Sequence, residues 1–307
     1  MLMRTITAGV LAGVVGVCSC AFAIGAEDGE QASTTEPVVY EIKPSETDRS
    51  IVHFDDPHVV ILDRASNAAA QLVVFMPGTD GKPRNAMGLL RVVAAQGYRV
   101  VGLEYNDSPA VVQVCPRNPP SCSGDFRHKR IFGDGVSSVI ENTPAESIVN
   151  RLVKLLQYLD QAHPGEGWSN YLQKDAPDWS RIVVSGLSQG AGMAAYIAKR
   201  EPVARVVLFS SPWDYSSESR SLAPWIGEPS VTPPERWFAE YHRRENTADL
   251  IARAYVVLRI PAEHVRIFDL DVPGYQHGRG SNNPYHGSTI RLPEYAPEWR
   301  FLFGHSP

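Results

Sequence analysis

The run Arg181-Ile-Val-Val-Ser185 is apolar without alternation. It breaks at Gly186-Leu187-Ser188-Gln189-Gly190 and continues as a helical stretch to Lys199. A strand of that kind is covered on both faces, so the chain has to supply helices for each side of a sheet. The reversal from strand to helix is so tight that Ser188 is forced into a strained backbone conformation. A side chain on either flank would clash, which accounts for Gly186 and Gly190. Ala191, Gly192 and Ala194 let the helix lie close to the sheet. The start of that helix directs backbone N–H groups at the turn, where negative charge is favoured.

The remaining sequence repeats the alternation of strand and helix. Segments 59–62, 71–76, 98–105, 204–209, 236–241 and 265–270 read as strands, and 86–96, 146–159 and 248–258 as helices. The clearest helix carries Ile148, Leu152, Leu155, Leu156 and Leu159 as one apolar stripe. Segment 106–143 reads as irregular, and 210–234, rich in Ser, Pro and Trp, as a loop or small cap. The expected class is α/β, with a mostly parallel central sheet covered by helices on both faces. With 307 residues, 43% hydrophobic, the chain can bury a sizeable core.

The ends and charges limit the function classes. Residues 1–26 read as a signal peptide: Arg4, an apolar run from Ala8 to Val17, then Ala21-Phe22-Ala23 as a small-x-small cleavage site. The run is too short for a membrane span. The alternative is a lipoprotein leader acylated at Cys20. Residues 27–44 read as a flexible lead-in, and 45–307 as the folded domain. The expected location is secreted or periplasmic. Cys115-Pro-Arg-Asn-Pro-Pro-Ser-Cys122 suits a short disulfide-closed loop in an oxidising compartment, whereas a metal site would need more ligands than nearby His128. A net charge of -5 without a basic block gives no sign of nucleic-acid binding. Arg127-His128-Lys129-Arg130 is the densest positive run and reads as a solvated loop face.

Ile182-Val-Val-Ser-Gly-Leu-Ser-Gln-Gly-Ala-Gly-Met-Ala-Ala195 resembles the nucleophile elbow of the α/β-hydrolase superfamily. It is similar to a group of exported bacterial members with a Gly-x-Ser-Gln-Gly core, and the resemblance runs over about residues 71–290. The resemblance implies an α/β-hydrolase fold with Ser188 as nucleophile, and chain order nucleophile, acid, histidine. It implies an oxyanion hole from the N–H of Gln189 and one from the loop Phe75-Met-Pro-Gly-Thr-Asp-Gly81, with Thr79 preferred and Asp80 as its neighbour. His286, in Asn282-Asn-Pro-Tyr-His-Gly-Ser-Thr289, is the histidine, and His277 in the same loop is its rival. His264 and His305 read as packing or surface residues.

For the acid, Glu245 lies in the loop after the 236–241 strand, and Asp214 ends the strand before it. Glu245 is preferred, although a surface pairing with Arg243 or Arg244 is the bland alternative. Asp249 reads as a first-turn helix charge. Asp269 and Asp271 lack a full calcium ligand set. Trp213, Tyr215, Trp225 and Trp237 read as packing, or as an aromatic wall for substrate.

The implied activity is a carboxylesterase-like serine hydrolase acting through an acyl-enzyme on a small-molecule or polymer ester, with no metal or organic cofactor. A peptidase or acyltransferase with the same residues, or a catalytically silent binding protein, are the alternatives.

Overall fold

Strand alternation assigns each side chain to one face of a sheet. In the strand Leu72–Met76, Leu72, Val74 and Met76 join one apolar cluster, while Val73 and Phe75 join another on the opposite face. All five are buried, as expected for a strand covered twice. The computed structural model describes residues 1–2, 8–9, 36–63, 70–274 and 283–306.

Eight strands form the central sheet: β1 (Val38–Ile42), β2 (His58–Leu62), β3 (Leu72–Met76), β4 (Arg99–Gly102), β5 (Ile182–Leu187), β6 (Arg205–Phe209), β7 (Trp237–His242) and β8 (Val265–Phe268). Their spatial order is β1-β2-β4-β3-β5-β6-β7-β8. Strand β2 runs against both its neighbours, and every other neighbouring pair is parallel. This is the α/β-hydrolase fold. Its longer helices are α1 (Met87–Ala94), α2 (Cys122–Phe132), α3 (Ile148–Ala162), α4 (Gln189–Arg200), α5 (Ala248–Val257) and α6 (Ala296–Phe303). Helices α3, α4 and α5 supply one face's cluster, and α1 and α6 the other's. Helix α3 starts where it does because the Ser147 hydroxyl accepts a hydrogen bond from the Asn150 N–H at 3.1 Å.

Two segments differ from the sequence expectation. The lead-in expected over 27–44 contains β1, which pairs antiparallel with β2, so order begins before residue 45. The irregular segment 106–143 contains α2, and the basic run lies on that helix rather than on a loop. Arg127 and Arg130 are buried there. A helix whose inward face carries arginines shows no apolar stripe, and Cys122-Ser-Gly at its start reads as a turn. Segment 210–234 holds a two-stranded pairing of Tyr215–Ser216 with Ser221–Leu222 and a single helical turn, Pro224–Gly227.

Cys115 and Cys122 form a disulfide across seven residues of sequence. The expected signal peptide, with Cys20, lies outside the described residues. Residues Glu36–Pro307 form one compact unit, distinct from Met1–Thr35. Among the described residues no helix is long and apolar enough to cross a membrane.

Candidate active site

The elbow follows from close approach of backbone to backbone. A Cβ on Gly190 would overlap the Met76 carbonyl oxygen, and one on Gly186 would lie 2.6 Å from it. Ser188 has φ 55° and ψ -117°, a conformation that non-glycine residues adopt only under strain. Its N–H donates to the Phe209 carbonyl at 2.9 Å, and its own carbonyl accepts from Gly192 at 3.0 Å. The hydroxyl is thereby held at the N-terminus of α4. Gly78 packs directly behind it, since a Cβ there would lie 3.1 Å from the Ser188 Cβ. Thr79 follows in a turn closed by the Gly81 N–H on the Gly78 carbonyl at 2.8 Å. Gln189 is the first residue of α4, so its N–H has no partner within the helix.

Glu245 and His286 come together from the loop after β7 and from a short helix, Pro284–Ser288. Glu245 Oε2 lies 2.6 Å from His286 Nδ1. Glu245 Oε1 accepts from the Ser210 hydroxyl at 2.6 Å and from the His242 N–H at 2.8 Å. The Glu245 side chain has no exposed surface, while that of His286 is 23% exposed. The neighbouring Tyr285 stacks on His242 with ring centroids 4.5 Å apart, and Arg244 lies over Tyr285. His277 lies outside the described residues, so its placement beside these groups is not part of this geometry.

The other candidates have other partners. Both oxygens of Asp214 are taken: Arg127 grips them with Nη2 at 2.6 Å and Nε at 2.7 Å, and Trp225 Nε1 donates to Oδ2 at 2.8 Å. Asp269 and Asp271 pair with Arg243 and Arg244. Among the described residues no cluster of His, Cys, Asp and Glu could hold a metal ion. Asp249 sits in the first turn of α5. His264 stacks on Phe238 at 4.0 Å. Trp237 is buried and donates to the Thr232 carbonyl at 3.1 Å. Trp213 and Tyr215 border small clefts beside Asp214.

Ser188 lies where two cavities meet. The larger, of about 440 Å³, is also lined by Thr79, Asp80, Lys82, His286 and Ile290. The smaller, of about 50 Å³, is also lined by Thr79, Val111, Val112, Gln189 and Trp213. The larger cavity thus carries a serine hydroxyl and a histidine imidazole in its wall, and Thr79 lines both.

Sequence reasoning passed over Ser210 and placed Arg127, which is buried, on a solvated face. Ser210 has φ 53° and carries its hydroxyl to Glu245 from the end of β6. Its only signal was the polar pair Ser210-Ser211 closing an apolar strand. Glu240, on β7, is buried. Burial first, and then the neighbouring Glu245, push its pKa well above the usual carboxylate range. Hydrogen bonds from Thr289 and Ser210 oppose that push in part.

The Arg127–Asp214 pair sets a stability prediction. Replacing Asp214 by Ala leaves a guanidinium buried without its counter-charge, a loss of about 3–5 kcal/mol in urea unfolding. The double variant Arg127→Met/Asp214→Leu should recover most of it, and strictly additive losses would refute the coupling.

A second prediction concerns pH. Burial pushes Glu104 up to about 7, partly opposed by Lys82, whose Nζ lies 3.0 Å from its Oε1. Burial also pushes Asp107 up to about 6, against the pull of Lys82 and Arg130. Both folded values lie above those of the unfolded chain, so the folded state retains protons that the unfolded state has released. The contribution of these two carboxyls to stability therefore falls as pH rises from about 4 to about 7, against a rise from His58, whose burial pushes its pKa down to about 3. Asp107→Asn should flatten that fall by an amount on the order of 1–2 kcal/mol. An unchanged slope in denaturant melts between these pH values would rule out Asp107 as a source.

No protein-family model matches the sequence, and no curated protein is recognisably similar to it. Solved structures with similar folds include esterase 2 of Thermogutta terrifontis phosphoramylated by tabun, with 15% identity, a TM-score of 0.45, and coverage of 87% of this chain and 96% of that one. A bacterial heroin esterase has 15% identity and a TM-score of 0.45, with 87% and 83% covered. An S-formylglutathione hydrolase from Agrobacterium tumefaciens has 14% identity and a TM-score of 0.45, with 87% and 95% covered.

Proposed function

We propose that this chain is an exported serine hydrolase that cleaves carboxylic esters through an acyl-enzyme. One observation carries the reading: the Glu245 carboxylate meets His286 Nδ1 at 2.6 Å, in the wall of the cavity that Ser188 also lines. With Nδ1 engaged in this way, Nε2 is the nitrogen available to take a proton.

In the proposed reaction the Ser188 oxygen attacks the ester carbonyl and passes its proton to His286 Nε2. The N–H groups of Thr79 and Gln189 receive the developing oxyanion. As the carbon–oxygen bond to the alcohol breaks, His286 returns the proton to the leaving oxygen. Water, deprotonated by His286, attacks the acyl-serine, and His286 passes that proton to the Ser188 oxygen as the acid leaves. Every step uses groups of the chain itself. Export is supported by the leader-like residues 1–26 and by the disulfide, which suits an oxidising compartment.

The test is covalent labelling of the folded protein by a fluorophosphonate, with peptide mapping of the adduct. Labelling at Ser188 together with release of p-nitrophenol from p-nitrophenyl acetate is the expected result. A folded protein that neither labels nor turns over would be a binding protein. Cleavage of a peptide anilide in preference to the ester would make it a peptidase.

A further inference from the structure

We propose that the site accepts only short, uncharged acyl groups, of about two to four carbons, because the acyl chain must enter the small cavity beside Ser188. This inference rests on the serine-esterase reading above. It starts from where the reaction needs each half of the ester. The leaving oxygen takes its proton from His286, so the alcohol lies on the imidazole side, in the cavity of about 440 Å³. The carbonyl oxygen points to the N–H groups of Thr79 and Gln189. The remaining substituent on the carbonyl carbon is the acyl chain. The space left for it is the cavity that holds Thr79, Ser188 and Gln189 but not His286.

That cavity measures about 50 Å³. One water-sized group needs about 10–15 Å³, so it holds about three to five at most. A methyl to propyl substituent fits, and a heptyl chain does not.

Several contacts hold the segment that walls this cleft. The Val111 N–H donates to the Gln189 side-chain oxygen at 3.3 Å, which pins the segment carrying Val111 and Val112 to the first turn of α4. Arg130 holds the same segment by its Nη1 on the Pro109 carbonyl at 2.9 Å and its Nη2 on the Ser108 carbonyl at 3.2 Å. The Cys115–Cys122 disulfide fastens its far end to α2. Arg127 and Asp214 form the base of the cavity as a closed pair. The guanidinium is already matched by a carboxylate, so the cavity carries no net charge to select an anionic tail. A Cβ on Gly192 would overlap that guanidinium, which gives this glycine a reason within the helix.

The experiment is the chain-length profile of the wild-type protein on p-nitrophenyl acetate, butyrate and octanoate, with Ser188→Ala as blank. The expected kcat/KM for octanoate is at least about 30-fold below that for acetate, given that single methylenes discriminate by tenfold or more in a filled pocket. Trp213→Ala, which removes one wall, should raise the octanoate-to-acetate ratio by about tenfold. Val112→Phe should lower the butyrate-to-acetate ratio by a similar factor, and it tests the same wall should Trp213→Ala fail to fold. Octanoate turned over within about threefold of acetate, by a protein whose Ser188 labels with fluorophosphonate, overturns the short-acyl inference and leaves the esterase reading standing. Wild-type rates no higher than those of Ser188→Ala on all three esters, with no labelling, overturn the esterase reading itself.

Discussion

Ser188→Ala should lower kcat/KM on p-nitrophenyl acetate by about 10⁴- to 10⁶-fold while the protein melts within a few degrees of wild type. The proposed chemistry requires a nucleophile at the bend, and the substitution removes a single oxygen from a half-buried position. Nothing in the packing depends on that oxygen: the bend is held by the Ser188 N–H on Phe209 and the Ser188 carbonyl on Gly192, both of which alanine retains. The strained φ is retained as well, so stability should barely move. Residual activity should be that of bound substrate beside the two N–H donors. Stopped-assay kinetics with thermal melts on the same sample decide the matter, and a loss below about tenfold would place the chemistry elsewhere.

Glu245→Gln should cost about 10³- to 10⁴-fold in kcat with KM little changed. The reasoning turns on which end of the amide faces His286. Two donors, the Ser210 hydroxyl and the His242 N–H, already point at Oε1. In glutamine the amide oxygen is drawn to them, and the NH₂ is left against His286 Nδ1. That nitrogen must then accept, so the ring proton moves to Nε2, which can no longer serve as a base. Glu245→Asp keeps the charge but retracts it by one methylene, and should recover part of the rate. A glutamine variant that labels with fluorophosphonate at the wild-type rate would show that Glu245 does not orient the imidazole.

Much of this arrangement was readable in advance at the level of pattern. The unbroken apolar run into Gly186, and the glycines flanking Ser188, call for a covered strand entering a helix at a tight bend. The β5–α4 geometry shows the physical reason in the Met76 carbonyl that a Cβ at either glycine would strike. Glu245 and Asp214 were both eligible by position in the chain. Their separation came only with the fold: Asp214 is claimed by Arg127 and Trp225, whereas Glu245 reaches His286. Helix α2 was missed for a related reason. Its buried face is built on arginines whose counter-charges and carbonyl partners lie far along the chain, and hydropathy cannot register a burial made tolerable by a distant carboxylate. Strand β1 was likewise taken for a lead-in, because an edge strand of mixed burial gains its order from pairing with β2.

The amino-acid sequence by itself determined the layered α/β architecture and the bend at residue 188, since both follow from local periodicity and from where glycine is sterically obligatory. Only the tertiary structure decided which carboxylate meets the imidazole, which arginines are buried, and how little room remains beside the serine. Those are matters of distance between segments remote in the chain. A residue's type states what it can bond to, and the packing of the sheet decides what it meets.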